Sequence, residues 1–357
     1  MLKSLTIKNF RCFENLTLEP LELVNLIGGG NNAGKTALLE AIFLLTGVSY
    51  IDQPLRLNIF RGIDSKNLDI EDICQWLFVN KKIAETIEIS AVESGKDYRL
   101  LQIKLVESEE TILPRFPNYL SKGHELKQLQ IEYQKKNRET AIWKIGLVGD
   151  IDKDEEGRMA LKMENGKREP HPKTELIGGM NAWKSTWELA ESFSRLEVVN
   201  RQGEILEILR HLEPRLKRLA VLVTGGVPMI YGDIDIGHLV PLQMMGEGMG
   251  RLTAIALTIA NTENGTVLID EIENGLHHSV LVKVWKAIID VAKKSNTQIF
   301  ATTHSWECIQ AAHEAFLTDN SYDFRYHRLG RVGGTIKTAT YDRETIGTSV
   351  DMYLEMR

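Results

Sequence analysis

From residue 26 the chain reads Leu-Ile-Gly-Gly-Gly-Asn-Asn-Ala-Gly-Lys-Thr. Gly29, Gly34, Lys35 and Thr36 fill the four fixed positions of the pattern G-x-x-x-x-G-K-[ST], whose glycines let backbone N–H groups close round a phosphate without a Cβ in the way. The helix that must follow adds the positive end of its dipole. Lys35 is then a point charge for β- and γ-phosphates, and the Thr36 hydroxyl is a hard oxygen of the right length for Mg²⁺. The flanks agree with this reading. Leu23-Val-Asn-Leu-Ile27 has the composition of a short buried strand, while Ala37-Leu-Leu-Glu-Ala-Ile-Phe-Leu-Leu45 is apolar almost all round, as a central helix is, and stops at Gly47. Strand, loop and helix together imply an α/β fold and a nucleoside triphosphate ligand with Mg²⁺.

The 357 residues allow a large core and more than one lobe. No apolar run reaches the length of a membrane span, and the N-terminus, Met1-Leu-Lys-Ser-Leu-Thr-Ile-Lys-Asn-Phe-Arg11, alternates like a strand where a signal peptide carries a continuous apolar block. A cytoplasmic protein without membrane contact is expected. Cys12, Cys74 and Cys308 are scattered, so neither a disulfide framework nor a zinc site is suggested. A formal charge of −6 speaks against a surface coated in nucleic acid. Two basic stretches, residues 122–138 (Lys122, Lys127, Lys135, Lys136, Arg138) and 210–218, read as solvated faces balanced by neighbouring Glu, with a local basic groove as the alternative.

Residues 1 to about 27 alternate and then turn continuous, predicting a β-hairpin that feeds a central strand. Short alternating runs from about 85 to 150 predict an antiparallel sheet. Residues 151–180, rich in charge, Gly and Pro, read as a loop or linker. After them Trp187, Leu189, Phe193, Leu196, Ile205, Leu206, Ile208, Leu209, Leu212, Leu216 and Leu219 recur mostly at helical spacing.

Three further elements bear on chemistry. Thr266-Val-Leu-Ile-Asp-Glu271 is an apolar strand ending in two acids, with Asp270 placed to organise Mg²⁺ and Glu271 to orient or deprotonate a water. Gln298-Ile-Phe-Ala-Thr-Thr-His304 is a strand ending in His, and such a residue faces the crevice at the carboxyl end of an open α/β sheet. Gln243-Met-Met-Gly-Glu-Gly-Met-Gly-Arg251 is a Gly-rich turn opening a helix, a second anion cradle. A chain with one complete phosphate loop has no obvious need of a second unless it completes a neighbour's site, which implies a dimer; a plain Gly-rich helix start is the alternative.

The order of P-loop, Gly-rich helix start, Asp-Glu strand and His strand resembles the ABC-type ATPase heads of the SMC, RecF and OLD group, most of all the bacterial OLD-like or RecF-like AAA ATPases. Ile7-Lys-Asn-Phe-Arg-Cys-Phe13 is similar to their first strand, and Gly-Gly-Asn-Asn-Ala-Gly-Lys-Thr36 to their Walker A motif. Met245-Gly-Glu-Gly-Met249 is similar to a shortened signature, Asp270-Glu-Ile-Glu-Asn-Gly-Leu-His277 to Walker B with its D-loop, and Ala301-Thr-Thr-His304-Ser to the H-switch. The closing Tyr341-Asp-Arg-Glu and Glu355-Met-Arg357 are also family-like, so a complete chain is expected.

The resemblance implies a P-loop NTPase of ABC-ATPase type, with a mixed central sheet, an antiparallel β-subdomain and a helical lobe. Its parts are expected at 1–175 (N-terminal part of the head), 176–238 (helical lobe) and 239–357 (C-terminal part). It further implies ATP contacts from Arg11, Gly29, Gly30, Asn31, Asn32, Ala33, Gly34, Lys35, Thr36 and Ala37, and from Gly246 and Gly248 of a second chain. Glu271 and His304 are the expected catalytic residues. Mg²⁺ falls to Thr36, Asp270 and a Q-loop glutamine, Gln75 in preference to Gln53. The signature departs from the pattern in lacking Ser and carrying Glu247, which leaves backbone N–H groups as its donors.

The expected function is an ATPase head that forms a homodimer around ATP and switches a DNA-processing partner, in repair or anti-phage defence. With no room for a Toprim domain after the His304 strand, a separately encoded nuclease is the expected effector, and DNA contact is possible in this scheme. The alternative is a nucleotide-dependent protein-interaction module with little turnover and no DNA contact. A transporter subunit fits less well, because no Leu-Ser-Gly-Gly is present.

Overall fold

The computed structural model describes residues 1–47, 53–59, 61, 70–95, 97–108, 126–136, 140–148, 158–165, 173–178, 185–318, 321–352 and 354. Its N-terminal hairpin, β1 (Leu2–Phe10) and β2 (Phe13–Leu18), leads into β3 (Val24–Gly28), which is buried along its whole length. The phosphate-loop residues follow, and then α1 (Lys35–Thr46), capped at its end by Gly47. Ten of its twelve residues are buried, as a helix apolar on nearly every face requires. The exception in composition is Glu40, whose buried carboxylate accepts from Arg11 Nε at 3.0 Å and Arg61 Nε at 2.8 Å. Removing either partner from such a carboxylate costs about 3–5 kcal/mol when the pair is fully buried, and less on the half-exposed Arg61 side.

Two short helices, α2 (Gln53–Ile59) and α3 (Ile70–Cys74), precede the expected antiparallel run: β4 (Ile87–Glu93), β5 (Tyr98–Ser108), β6 (Leu126–Lys135), β7 (Ala141–Val148) and β8 (Arg158–Asn165). Together with the hairpin they form a seven-stranded sheet in the order β2-β1-β4-β5-β6-β7-β8. Its alternating pattern turns Ile7, Ile89 and Ile103 onto α1, where they meet Leu38, Leu39 and Ile42.

The stretch 151–180 is not simply a linker. It holds β8 and also β9 (Thr174–Ile177), which pairs in parallel with β13 (Thr266–Ile269) in full register from Thr174↔Thr266 to Ile177↔Ile269. A four-residue edge strand set among charged and Gly-Pro-rich neighbours has too little periodicity to stand out. The helical run also ends sooner than its leucine spacing suggests. After α4 (Thr186–Val198) and α5 (Gln202–Arg210), Pro214 stops the helix, and Leu219 belongs to β10 (Arg218–Thr224). β10, β11 (Val227–Asp233) and β12 (Leu239–Pro241) make a three-stranded sheet beside those helices.

The remaining elements are α6 (Glu247–Ala260), β13, α7 (Leu281–Ser295), β14 (Gln298–Thr302), α8 (Trp306–Leu317), a closing hairpin of β15 (Phe324–Val332) and β16 (Thr335–Tyr341) turning at Gly333-Gly334, and α9 (Arg343–Asp351). The central sheet runs β16-β15-β3-β14-β13-β9, parallel throughout except for the edge strand β16. Each inner strand serves two cores: Val267 and Ile269 of β13 face α6 and α7, while Leu268, with Phe300 of β14, faces α1. The molecule is therefore layered as antiparallel sheet, α1, mixed sheet and helices, and the carboxyl ends of β3, β9, β13 and β14 come together at one edge.

Several described basic residues of the two stretches are paired with acids: Lys135 with Glu93 (3.5 Å), Lys136 with Asp97 (3.0 Å), Arg215 with Glu213 (2.9 Å) and Lys217 with Asp235 (2.7 Å), while Arg210 donates to the carbonyls of Leu216 and Lys217. Lys122, Arg138 and the Lys127 side chain lie outside the described residues, as do Glu355–Arg357. All three cysteines are free, and burial pushes the Cys308 thiol up to about 12. Among the described residues no helix is long and apolar enough to cross a membrane.

Candidate functional site

At the shared edge of the parallel strands lies a cavity of about 1040 Å³ lined by Arg11, the loop residues Asn31 to Ala37, Asp270, Glu271 and His304. The loop can take its path only with glycine at two points. Gly29 has φ +137, where a Cβ would come 2.4 Å from Leu329 O, and Gly34, the N-cap of α1 with φ +93, would meet Cys12 Sγ and Phe13 at 2.8 Å. Gly29 and Gly30 contribute their carbonyls: Lys35 Nζ donates to them at 2.7 and 3.0 Å. Burial lowers the Lys35 pKa, opposed by the charges of Asp270, Glu271 and Glu273.

Thr36 Oγ1 donates to Asp270 Oδ2 at 2.9 Å, and Thr302 Oγ1 donates to the other Asp270 oxygen. Two hard oxygens thus sit side by side at the loop. Thr302 also accepts from the Glu271 backbone N at 2.8 Å, while Asn274 Nδ2 donates to Glu271 Oε2. Glu271 itself has φ +50, a left-handed conformation that costs a non-glycine residue about 1–3 kcal/mol and is typical of functional positions. His304 joins the two sides. Its Nδ1 is 3.3 Å from Lys35 Nζ and its Nε2 is 3.7 Å from Glu271 Oε1, while its backbone N donates to Glu273 Oε1 at 2.7 Å. A charged lysine can only donate, so Nδ1 accepts and the proton of neutral His304 is on Nε2, facing Glu271.

Arg11 lines the same cavity with its guanidinium partly committed: Nε goes to Glu40, and Nη1 donates to Trp76 O at 3.0 Å. Its Nη2 is buried with no partner among the described residues. Gln75, expected on the metal, is not brought to the site. It opens a tight turn after α3, its amide donates to Asp72 O (3.2 Å) and Asp72 Oδ1 (3.4 Å), and the next residue, Trp76, faces the cavity in its place. Gln53 is buried beside Gly47. Gly246 and Gly248 stand apart from the cavity at the exposed start of α6, where Glu247 lies against Gly275 of the D-loop.

A family model described as "AAA domain, putative AbiEii toxin, Type IV TA system" matches residues 24–307. This chain belongs to that AAA-domain family. An "ATP/GTP phosphatase" of Helicobacter pylori is 26% identical over 325 residues, covering 87% of each chain. The "DNA replication and repair protein RecF" of Pseudoalteromonas translucida is 56% identical over 45 residues, 13% of this chain and 12% of that one. Among solved structures, the Smc head domain of Pyrococcus furiosus with an extended coiled coil, bound to the C-terminal domain of ScpA, superposes with a TM-score of 0.51 at 13% identity over 99% of both chains. The last shows a shared fold. The chain is thus an AAA-domain protein with the fold of an Smc head, and it shares short stretches with RecF.

Several site residues of this AAA-family chain were not legible in the sequence. Gly178, just after β9, has φ +147 and faces Asp270 so closely that a Cβ would lie 2.4 Å from the Asp270 Cβ. Its only sequence signal is an Ile-Gly-Gly at the end of a short strand. Arg251, nearly buried on α6, donates from Nη2 to the carbonyls of Asp270 (3.0 Å) and Glu271 (3.1 Å), holding the acidic turn from behind. Thr302, Glu273 and Asn274 stand inside or beside recognised motifs, but their partners are visible only in three dimensions.

Proposed function

We propose that this ATPase binds ATP with Mg²⁺ in the cavity, dimerises around the nucleotide through Gly246 and Gly248, hydrolyses it, and serves as a switch for a DNA-processing partner. The observation that carries the reading is the convergence of Lys35, the Thr36–Asp270 pair and the Glu271–His304 pair at one cavity. An entering phosphate competes for the Lys35 ammonium with two neutral carbonyls, and a charge-assisted bond is roughly twice as strong as a neutral one. The donor set suits Mg²⁺, which takes one or two protein oxygens and completes its shell with water and phosphate. Thr36 and Asp270 would hold it; when bound, the ion neutralises charge on the β- and γ-phosphates.

Glu271 is the base. As water oxygen bonds to the γ-phosphorus, the water's proton passes to Glu271 and the bond to the β-phosphate oxygen breaks, leaving ADP and phosphate. Asn274 fixes the second Glu271 oxygen, and His304 keeps its Nε2–H toward the carboxylate and reaches Lys35 through Nδ1. The exposed Gly246-Glu-Gly248 turn supplies backbone N–H donors for the nucleotide of a second chain. Support for the partner is by relation. RecF is named for DNA replication and repair, and the head-domain structure carries a bound ScpA domain.

Light scattering on Glu271→Gln with and without ATP tests the dimer: an unchanged mass across a wide concentration range refutes it. DNA binding followed over a salt series tests the rest, because phosphate contacts weaken steeply with salt. A chain that hydrolyses ATP and shows no salt-dependent DNA binding, alone or with a co-purified partner, supports the protein-interaction reading instead.

A further inference from the structure

Part of the wall of the cavity is built by Trp76, Phe78, Asn80 and Lys81. Two aromatic side chains line it there, Trp76 and Phe78, but Phe78 is 2% exposed whereas Trp76 is 47% exposed. The other tryptophans of the core, Trp143 and Trp285, are buried to 4% and 1%. An indole left half open inside a cavity gives up about half of the burial that usually stabilises such a ring.

The segment is nevertheless held firmly. Phe78 bridges to Phe10, the Arg11 backbone N donates to Leu77 O at 2.7 Å, and Arg11 Nη1 donates to Trp76 O at 3.0 Å. Behind Arg11 stands the buried Glu40 of α1, so the indole's backbone is tied to the helix that carries the phosphate loop. On the far side, Asn80 and Lys81 are consecutive left-handed residues, φ 49 and φ 58. Lysine has no side-chain compensation for that conformation, and such strain persists only where surrounding structure enforces it. Its result is to set the Lys81 ammonium 4.0 Å from the centroid of the Trp76 ring.

We infer that the base of the bound nucleotide stacks on the face of Trp76 that Lys81 does not cover, with Arg11 orienting the residue through the Trp76 carbonyl and Lys81 holding the opposite face of the ring. The inference rests on the proposed reading of the cavity as a nucleotide site and adds its specificity: a ring face recognises the π-surface of a base and not its edge. The site therefore takes nucleoside triphosphates with little preference among bases, adenine and guanine alike, and Arg11 serves as a positioning residue for the base.

Calorimetry with ATP, GTP and inorganic tripolyphosphate separates the two ideas. Trp76→Ala should weaken ATP and GTP together by roughly 5- to 150-fold, the loss found for one base–aromatic stack, while tripolyphosphate binds as it does to wild type. Trp76→Phe, which keeps a π-face, should recover most of the affinity and lose the indole fluorescence change on ATP binding. Wild-type-like ATP affinity in Trp76→Ala, or equal loss of tripolyphosphate, overturns the platform while the nucleotide reading stands. A wild-type protein that binds neither ATP nor tripolyphosphate overturns the nucleotide reading and the platform with it.

Discussion

The phosphate-loop edge of the central sheet and the Gly246-Glu-Gly248 turn are both Gly-rich openings of a helix, yet they are built in opposite ways. Around the first, Lys35, Thr36, Asp270, Glu271 and His304 hold one another through side-chain bonds, and added Cβ atoms at Gly29, Gly34 and Gly178 would collide with neighbours. At the second, a Cβ on Gly246 meets nothing within 4 Å, Met244 is 78% exposed, and the polar side chain of Glu247 rests on the D-loop glycine Gly275. A preorganised cluster recognises its ligand alone. An open turn with only backbone donors acquires a function when another surface is brought to it. The two are not independent: Arg251, one turn into the same helix, grips the carbonyls of Asp270 and Glu271.

The sharpest way to break this contrast is at the chemistry of the cluster. Glu271→Gln should keep ATP affinity and lower the hydrolysis rate by about 10²- to 10⁴-fold, the usual worth of a positioned base; turnover at the wild-type rate in a steady-state assay would remove Glu271 from its role. Next comes capture. Lys35→Ala removes a charge-assisted contact to two phosphates, each such hydrogen bond contributing about 1.5–3 kcal/mol. It should weaken ATP by roughly 10²-fold or more with thermal unfolding little changed, and calorimetry with undiminished affinity would show that the loop does not use its lysine.

The support of the cluster is open to a test by pH. His327 of β15 pairs with Ile27 beside the loop and is fully buried, and burial lowers its pKa from 6.5 to about 3. Because the folded value lies below the unfolded one, its contribution is present above about pH 6.5 and lost as pH falls toward 3. Stability should drop by about 2 kcal/mol from this group between pH 6.5 and about pH 5, and denaturant titrations of His327→Asn should lack that part of the slope.

The smallest effect is expected at the open turn. In the proposed dimer Gly246→Asp would set a carboxylate where backbone donors face a partner's phosphate, so in a Glu271→Gln background ATP-dependent dimerisation should weaken by about tenfold or more (~1.4 kcal/mol), with ATP binding to the single chain intact. Dimerisation unaltered by this change would move the interface away from α6.

Much of the cluster at the loop is legible because its motifs set particular side chains at fixed spacing along one loop or one strand end. The Gly-Lys-Thr36 run, Asp270-Glu271 and His304 each announce themselves within ten residues, and the fold brings all of them to one cavity. Gln75 shows the limit of this reasoning. A glutamine after the first helix is compatible with a metal ligand, but a tight turn one residue earlier or later decides which side chain faces inward, and here Trp76 does. β9 was hidden for a related reason, since an edge strand of four residues has no period of its own and is defined by pairing with β13.

The strand–loop–helix unit with its Gly-Lys-Thr motif, the antiparallel run and the order of acidic and histidine strands are written in the sequence alone, because local backbone sterics and hydrophobic period act over a few residues. Tertiary structure alone decided that Gly178 must make room for Asp270, that Arg251 ties α6 to the acidic turn, that Arg11 divides its guanidinium between Glu40 and the Trp76 carbonyl, and that Trp76 stands open in the cavity. Each of these joins residues far apart in the chain, and no local propensity can encode a contact whose two halves meet only after the sheet has assembled.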